Sequence, residues 1–345
     1  MTGLLEFREY LKNFYVKYEI YLKPCVKLLM ALISLVAINK SMGYMPVLSN
    51  PALVVVLALM CSFMPMNFVV IVSALWILLH TYALAAECAI VVLAVFAIMF
   101  LLYFRLVPKD TIVVLLTPLL FLLRIPYVMP VAMGLLGGPL AAVSVSCGVV
   151  VYYIIKFITD NVTIFSATDA ETGSQKLKIM LDGILDNKAM LVTMIVFILV
   201  LVIVYTVRRL SVDHAWMIAI ISGISVCAVL LLVCEFIMEL QFSVFAIVLG
   251  SIASVFICLG IQFFEFNVDY SRTEYVQFED DEYYYYVKAV PKNVLAASEK
   301  KVKRINKQHK KVPAKHEKRV STIKTSHGVS RTTERMEEIK KNRTK

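Results

Sequence analysis

Two charged residues interrupt long apolar stretches of this chain, and they are the first candidates for chemistry. Arg124 lies about 13 residues beyond the charged segment that ends at Asp110, and Glu87 lies about 17 residues before Arg105. At about 1.5 Å per helical residue, Arg124 is about 20 Å and Glu87 about 26 Å from one membrane surface. A charge at that depth is costly unless it is paired or hydrated. Either the two form an ion pair, or Arg124 extends outward and Glu87 lies among the outer headgroups.

The segment around Arg124 is also rich in residues that break helices. Proline removes a backbone donor and glycine loosens a helix. In many transporters, broken helices at membrane depth bind the substrate. A second break, at residues 64–67, lies in the earlier half of the chain. We therefore predict a solute site at 111–139; the alternative is a set of kinks and tight turns without a ligand. The predicted substrate-binding residues are Arg124, Glu87, Pro126, Pro130, Gly134, Gly137 and Gly138.

Signatures of soluble enzymes do not occur in the sequence. It contains no P-loop, dinucleotide-binding, zinc-protease or nucleophile-elbow motif. The seven cysteines lie in or beside apolar runs with no zinc-binding spacing. We expect them to pack as small apolar side chains. The sequence thus predicts a protein that is not an enzyme, with no catalytic residue, no metal and no cofactor.

The elements that must position these residues are predicted to be membrane helices. Hydrophobic residues make up 60% of the chain and charged residues 17%. The predicted fold class is an all-α transmembrane bundle of eight full spans plus one broken or re-entrant pair at 111–138, which enters and leaves on the same side. The eight spans are expected at 25–39, 47–63, 67–83, 85–104, 139–158, 189–207, 215–237 and 243–264.

The chain is predicted to divide into four parts. Residues 1–24 form an amphipathic interfacial helix that Pro24 ends, and residues 25–264 form the membrane domain. Residues 265–291 form an acidic, tyrosine-rich hairpin, and residues 292–345 a basic, largely disordered tail. The net charge of +10 comes mostly from that tail. Because basic segments stay in the cytoplasm, we expect a multi-pass plasma-membrane protein with both termini cytoplasmic.

The predicted hairpin contains the stretch YVQFEDDEYYYYVKAVPK, residues 275–292. Two runs rich in tyrosine and valine flank four acids, a pattern typical of two strands and a turn. We expect this small β-hairpin to dock on the cytoplasmic face or to accept a strand from a partner. The predicted partner or lipid contacts are Tyr283, Tyr284, Tyr285, Tyr286, Lys301, Lys303 and Arg304.

The partners that fit this tail are membrane lipids and another membrane or cytoplasmic subunit. A lysine-rich tail attracts anionic lipid. No aromatic residues alternate with its basic residues, which argues against nucleic acid as a partner.

Three other features carry expectations about packing. Small residues recur every four positions at Ala246, Gly250, Ser254 and Cys258, which favours close packing inside the protein over dimerisation. His80 is expected at the interface, and Lys156 is expected to extend from the end of its span. The stretch QKLKIMLDGILDNKAM is expected to form a helix on the outer surface or a lid.

Two segments carry a resemblance to known proteins. The stretch YVQFEDDEYYYYVKAVPK and the segment LLYFRLVPKDTIVVLLTPLLFLLRIPYVMP resemble uncharacterised bacterial polytopic membrane proteins. This resemblance implies membrane residence and no established activity. From the residues themselves, the leading hypothesis is a permease-like small-solute transporter, or transporter subunit, that binds at the 111–139 break. The alternative is a scaffold that recruits partners or anionic lipid through its hairpin and tail.

Overall fold

The computed structural model describes residues 2–166, 173–239, 243–265, 274–279 and 284–289. Within these ranges the chain forms twelve helices and two short strands. The helices are α1 (Thr2–Ser41), α2 (Pro51–Phe63), α3 (Met66–Leu84), α4 (Ala86–Leu106), α5 (Thr111–Leu122), α6 (Val128–Leu136), α7 (Ala141–Asp160), α8 (Val162–Ser166), α9 (Gly173–Leu185), α10 (Lys188–Arg208), α11 (Ala215–Met238) and α12 (Val244–Glu265).

Among the described residues, seven helical stretches are long and apolar enough to cross a membrane, so the predicted count of eight full spans is wrong. The second predicted span, 47–63, is only the 13-residue helix α2. Pro51 starts this helix and Asn50 caps it, so residues 46–50 form a turn instead of a first helical turn. The seven stretches are Asn13–Ser41, Met66–Leu84, Ala86–Leu106, Ala141–Asp160, Gly173–Arg208, Ala215–Met238 and Val244–Glu265.

The first helix does not end at Pro24, as the sequence predicted. Helix α1 runs on through this proline, and its one non-helical residue is Tyr18, with φ −110° and ψ 17°. Proline inside a helix removes one backbone hydrogen bond. The packing of the apolar part of α1 after Pro24 compensates for this loss. The interfacial part and the first membrane stretch are therefore one kinked helix.

Helix α2 returns the chain along α1, although it is short. The side chain of Asn39 donates to the carbonyl of Leu48 at 2.9 Å. At the other end, the Ser62 hydroxyl donates to the carbonyl of Pro24 at 2.8 Å, and Lys27 Nζ donates to the carbonyl of Met64 at 3.0 Å. These contacts place the two ends of α2 against the two ends of the apolar part of α1. Helices α1 and α3 therefore run in the same direction.

Helices α5 and α6 form a pair of short helices joined by a turn. Helix α5 is about 18 Å long and α6 about 14 Å. The Ser144 hydroxyl, in the first turn of α7, donates to Asp110 Oδ2 at 3.4 Å, and Arg208 Nη2 donates to the carbonyl of Gly137 at 3.0 Å. The start of α5 and the end of α6 therefore lie at one end of the bundle, with Arg124 at the tip of the pair. We call the end that carries Arg105, Lys109, Arg208 and Arg209 the basic end.

Glycines allow several of these helices to approach closely. A Cβ at Gly148 of α7 would lie 2.4 Å from Thr117 Cβ in α5, and one at Gly223 of α11 would lie 2.2 Å from Val204 Cγ2 in α10. A Cβ at Gly183 of α9 would lie 1.9 Å from the ring of Phe157. Only a hydrogen fits at these positions, so the glycines set the spacing of these helices.

The predicted small cytoplasmic β-hairpin is not supported as a part of the fold. Two strands, β1 (Glu274–Glu279) and β2 (Tyr284–Ala289), pair antiparallel with Glu274 opposite Ala289 and Glu279 opposite Tyr284. Among the described residues, the substantial packing contacts of the strands are with each other, and those of the helices are with helices. An isolated two-stranded pair is marginal in water. The fold class is therefore corrected to an all-helical membrane bundle, without a docked β-element among the residues that the structure describes.

Candidate functional site

A cleft with a volume of about 420 Å³ opens beside the turn between α5 and α6. Its walls come from that turn and from helices α7, α10, α11 and α12. The residues on these helices lie near their ends opposite the basic end: Lys156 is late in α7, Thr193 is early in α10 and Ala246 is early in α12. The polar residues of the cleft are Arg124, Tyr127, Tyr152, Tyr153, Lys156, Thr193 and Ser243.

Arg124 occupies a backbone position that normally suits glycine. The amide of Ile125 donates to the carbonyl of Leu120, and the amide of Arg124 donates to the carbonyl of Phe121, both at 3.0 Å. This is the hydrogen-bond pattern of a Schellman helix end, in which the residue after the cap adopts a left-handed conformation. Arg124 has a φ of 62°. The chain therefore holds an arginine in a conformation that costs a side-chain residue about 1 kcal/mol or more.

Aromatic rings build one wall of the cleft. The rings of Phe121 and Tyr152 stack with their centroids 4.3 Å apart and their planes inclined by 14°. Phe121 also stacks on Phe197 of α10 at 5.9 Å, and Tyr153 meets Phe121 edge-on at 6.1 Å. Phe121 of α5 is thus fixed against both α7 and α10, and the wall that it forms is flat and apolar.

Hydroxyl groups around this wall differ in their hydrogen bonding. The Tyr153 hydroxyl lies 2.9 Å from Thr193 Oγ1, and Thr193 donates its own proton to the carbonyl of Ala189 at 2.7 Å. The proton of the first bond therefore comes from Tyr153. The hydroxyls of Tyr127 and Tyr152 have no hydrogen-bond partner among the described residues, although the Tyr127 side chain is 7% exposed. Neither hydroxyl oxygen is fully buried, and both tyrosines line the cleft, so these two donors are accessible to a molecule there.

The structure brings two of the predicted substrate-binding residues to this cleft. Arg124 and Pro126 both line it. Pro130 and Gly134 are buried inside α6 instead, and a Cβ at Gly134 would lie 2.8 Å from Val204 Cβ. The small size of Gly134 lets α6 pack closely against α10.

Gly137 and Gly138 lie at the basic end, away from the cleft. The carbonyl of Gly137, freed by the end of α6, accepts the hydrogen bond from Arg208. A Cβ at Gly138 would meet nothing within 4 Å. The broken helix thus exposes a carbonyl as predicted, but a protein side chain satisfies it.

Glu87 lies apart from Arg124. It is in the first turn of α4, where a negative charge is favourable to the helix dipole. A Cβ at Gly173 would lie 3.3 Å from Glu87 Oε1, so the carboxylate faces the start of α9. Glu87 and Arg124 do not form an ion pair, and Glu87 does not line the cleft. Of the two arrangements open from the sequence, the structure has the separate one.

His80 is buried in a polar cluster close to the end of α3. Asn39 Oδ1 accepts from Trp76 Nε1 at 2.7 Å and lies 2.8 Å from His80 Nε2. The amide of Met45 lies 3.3 Å from His80 Nδ1, where the ring nitrogen accepts its proton. His80 Nε2 therefore carries the proton and donates it in the hydrogen bond to Asn39 Oδ1. This network ties α1, α3 and the turn before α2 together and leaves the imidazole fully satisfied.

A second, much smaller cavity of about 60 Å³ lies on the other side of α5. Pro118 and Val114 both line it. Because proline has no backbone N–H, Pro118 cannot donate the helical hydrogen bond to the carbonyl of Val114. Ser73 of α3 also lines it, and its hydroxyl has no partner among the described residues. Apolar side chains form nearly all of the remaining lining, which suits this cavity less to a polar solute than the Arg124 cleft.

Helix α9 packs one face against α4 and α7, and the small residues of α12 face the inside of the protein. In α9, Met180 and Ile184 are buried, whereas Leu185 is exposed. In α12, a Cβ at Gly250 would lie 2.5 Å from the carbonyl oxygen of Arg124. The expectation that the small residues of this helix serve internal packing is confirmed at Gly250.

Several residues of the cleft were missed from the sequence. Lys156 was interpreted as an interfacial residue, and Tyr127, Tyr152 and Thr193 were not considered. One local signal was available: Tyr152 and Lys156 are four residues apart and therefore share a face of α7. Their convergence with Arg124 depends on how α5 and α7 pack, which no local pattern indicates.

The predicted partner contacts fall mostly outside the described residues. Tyr283, Lys301, Lys303 and Arg304 lie there, and of Tyr284, Tyr285 and Tyr286 only the strand backbone is described. Their proposed contacts remain predictions.

The seven apolar helices define a multi-pass integral membrane protein with a polar cleft at a helix break. Within the described ranges, no group of three or more His, Cys, Asp or Glu residues is placed to hold a metal ion. No protein-family model, curated protein or solved structure matches the chain.

Proposed function

We propose that the protein is a permease-like transporter, or transporter subunit, that binds a small solute in the Arg124 cleft. The observation that carries this proposal is the tip of the α5–α6 pair, where a charged residue and an irregular turn line a cleft among four long helices. In this proposal the protein performs no enzymatic reaction and needs no cofactor, and lipids surround its apolar surface.

The broken helices support a binding role over a purely structural kink. Irregular backbone in the membrane is tolerated where protein covers it or where it lines a water-filled cavity. At Gly137 a protein side chain covers the break, whereas at Arg124 and Pro126 the break borders the cleft. A solute site next to such a turn is the arrangement found in transporters with discontinuous helices.

The charge distribution supports an orientation for this site. Arg105, Lys109, Arg208 and Arg209 lie at the basic end, and Lys27 is joined to that end through Met64 and the start of α3. The positive-inside rule assigns the basic end to the cytoplasm. We therefore place the protein in the plasma membrane with both termini cytoplasmic and with the cleft opening outward, where it could capture a solute from outside the cell.

Uptake into liposomes tests the proposal directly. The purified protein is reconstituted and incubated with a defined mixture of small carboxylates, phosphates, sugars and amines, and the vesicle contents are then measured by mass spectrometry. We expect at least one solute to accumulate above protein-free liposomes and Arg124→Ala to lose most of that uptake. Lys178→Gln, which removes an exposed cation of α9 outside the cleft, is the matched control. Full uptake by Arg124→Ala, or no uptake of any solute, would contradict the proposal.

A further inference from the structure

The cleft has a one-sided charge. Arg124 and Lys156 both line it, and none of its described lining residues is acidic. Neither cation has an ion-pair partner among the described residues. Asp160, one turn beyond Lys156 on α7, lies outside the lining and does not pair with it. Two unpaired cations in one partly enclosed cleft raise the local concentration of anions and favour an anionic ligand.

The position of Arg124 adds a second, independent observation. Glycine would satisfy the left-handed turn at φ 62° without the strain that a side chain brings. Strain of this kind persists where the surrounding structure enforces it and is concentrated at ligand sites. The turn therefore presents a guanidinium, which offers five donors in a fork that matches a carboxylate or phosphate.

Two further hydroxyl groups of the cleft are free to donate. The hydroxyls of Tyr127 and Tyr152 lack partners among the described residues and can donate to an oxygen acceptor. Beside them, the stacked rings of Phe121 and Tyr152 offer a flat apolar surface. The cleft thus combines cationic and hydroxyl donors with an aromatic wall, and its volume of about 420 Å³ accommodates a small organic molecule.

We infer that the cleft binds a small organic anion, a carboxylate or phosphate carried on a flat apolar group. Arg124 and Lys156 bind the anionic group, Tyr127 and Tyr152 donate to its oxygens, and the Phe121–Tyr152 wall contacts its apolar part. This inference specifies the class of ligand that the proposed permease would bind. Only the movement of the ligand across the membrane rests on the proposed function. Binding follows from the cleft alone.

Benzoate and three competitors of similar size but different charge test this inference. Binding of radiolabelled benzoate is measured on the full chain in phosphatidylcholine nanodiscs, with unlabelled benzamide, benzamidine and phenyl phosphate as competitors. We expect saturable benzoate binding in the millimolar range or tighter, competition by phenyl phosphate, about tenfold weaker competition by neutral benzamide and none by cationic benzamidine. Equal competition by all three benzene derivatives, or no saturable benzoate binding, would overturn the inference.

Substitutions locate the site on the protein. Arg124→Gln and Lys156→Gln should each weaken benzoate binding by about tenfold or more, while Lys178→Gln should leave it unchanged. Arg124→Gly serves as a second variant because it removes the side chain and also relieves the strained turn. It should fold at least as well as the parent and still lose binding. Unchanged binding in both Arg124 variants would refute the assignment.

The phosphate of a lipid headgroup could also be the anion that the cleft binds. If nanodiscs of phosphatidylglycerol abolish benzoate binding that phosphatidylcholine nanodiscs preserve, the anion in the cleft is a lipid phosphate; if binding persists, it is a free solute. Both results keep the anion specificity. Benzoate binding without any liposome uptake would refute the permease and retain the inference, whereas Arg124-dependent uptake of a neutral solute without benzoate binding would refute the inference and retain the permease.

Discussion

Gly250 of α12 faces the carbonyl oxygen of Arg124 so closely that a Cβ there would lie 2.5 Å from that oxygen and 2.9 Å from the ring of Tyr127. The carbonyl belongs to the strained turn at the tip of the α5–α6 pair, and Ala246, one turn earlier on α12, lines the cleft. Helix α12 therefore fixes the position of Arg124 by contact with its backbone.

Gly250→Ala should displace this turn, because the added methyl group meets backbone and not the end of a flexible side chain. We expect a loss of about 1–3 kcal/mol in unfolding free energy, typical of overpacking, together with weaker solute uptake. Gly260→Ala is the matched control on the same helix, since a Cβ there would meet nothing within 4 Å. Reversible unfolding in mixed micelles, followed by circular dichroism, measures the difference. Equal stability of the two variants would argue against this contact.

Arg124→Gly should separate stability from function. Glycine adopts the left-handed conformation at φ 62° without a Cβ clash, so we expect a gain of about 0.5–1 kcal/mol in unfolding free energy. Uptake into liposomes should nevertheless fall, because the guanidinium is lost. Arg209→Gly is the control, since Arg209 also follows a helix end but has a φ of −90°. A destabilised Arg124→Gly variant would show that the side chain is needed for the fold.

Arg208→Gln should loosen the α6 end of the helix pair. Its guanidinium donates to the carbonyl of Gly137 at 3.0 Å and lies over the rings of Tyr205 and Trp216. Loss of a hydrogen bond to a charged group costs about 1.5–3 kcal/mol. Arg209→Gln is the comparison, because the more exposed Arg209 bonds only within its own helix region, to the Tyr205 hydroxyl at 2.6 Å, and should cost within about 0.5 kcal/mol. The same micelle unfolding assay distinguishes the two.

Asn39→Ala should destabilise the contact between α1 and α3. The change leaves the Trp76 Nε1 and His80 Nε2 donors unpaired, at a cost of about 1–3 kcal/mol for each buried group. Asn161→Ala provides the control, because Asn161 donates only to the carbonyl of Phe157 one turn earlier. Tryptophan fluorescence during thermal unfolding follows the transition through Trp76 and Trp216, the two tryptophans of the chain. A midpoint for Asn39→Ala as high as that of the control would contradict the proposed network.

Truncation after Leu295 distinguishes a permease from a scaffold. Residues 1–295 form one compact unit that contains all the described helices. If the protein transports a solute through the Arg124 cleft, the truncated chain should keep most of the uptake of the full chain. Loss of cellular function together with unchanged uptake would instead indicate that the tail recruits a partner, as the scaffold hypothesis requires.

The location of the candidate site was predictable because its signals are local. An arginine inside an apolar run and a proline two residues later violate the requirements of a spanning helix wherever the neighbours lie. The same reasoning left two arrangements open for Glu87, because depth along a helix does not determine which side of the bundle a residue faces. It failed for 47–63, where an apolar run counted as a full span contains a turn before Pro51.

The sequence by itself determined membrane residence, the break at 111–139 and the charge at its centre, since hydrophobicity, missing backbone donors and ionisation belong to individual residues. Only the tertiary structure decided that Lys156, Tyr127 and Tyr152 meet Arg124 in one cleft while Glu87 and Gly137 lie elsewhere. Helix packing caused this difference. Close glycine contacts such as Gly148 against Thr117 set which faces of α5 and α7 meet, and such contacts join residues far apart in the chain.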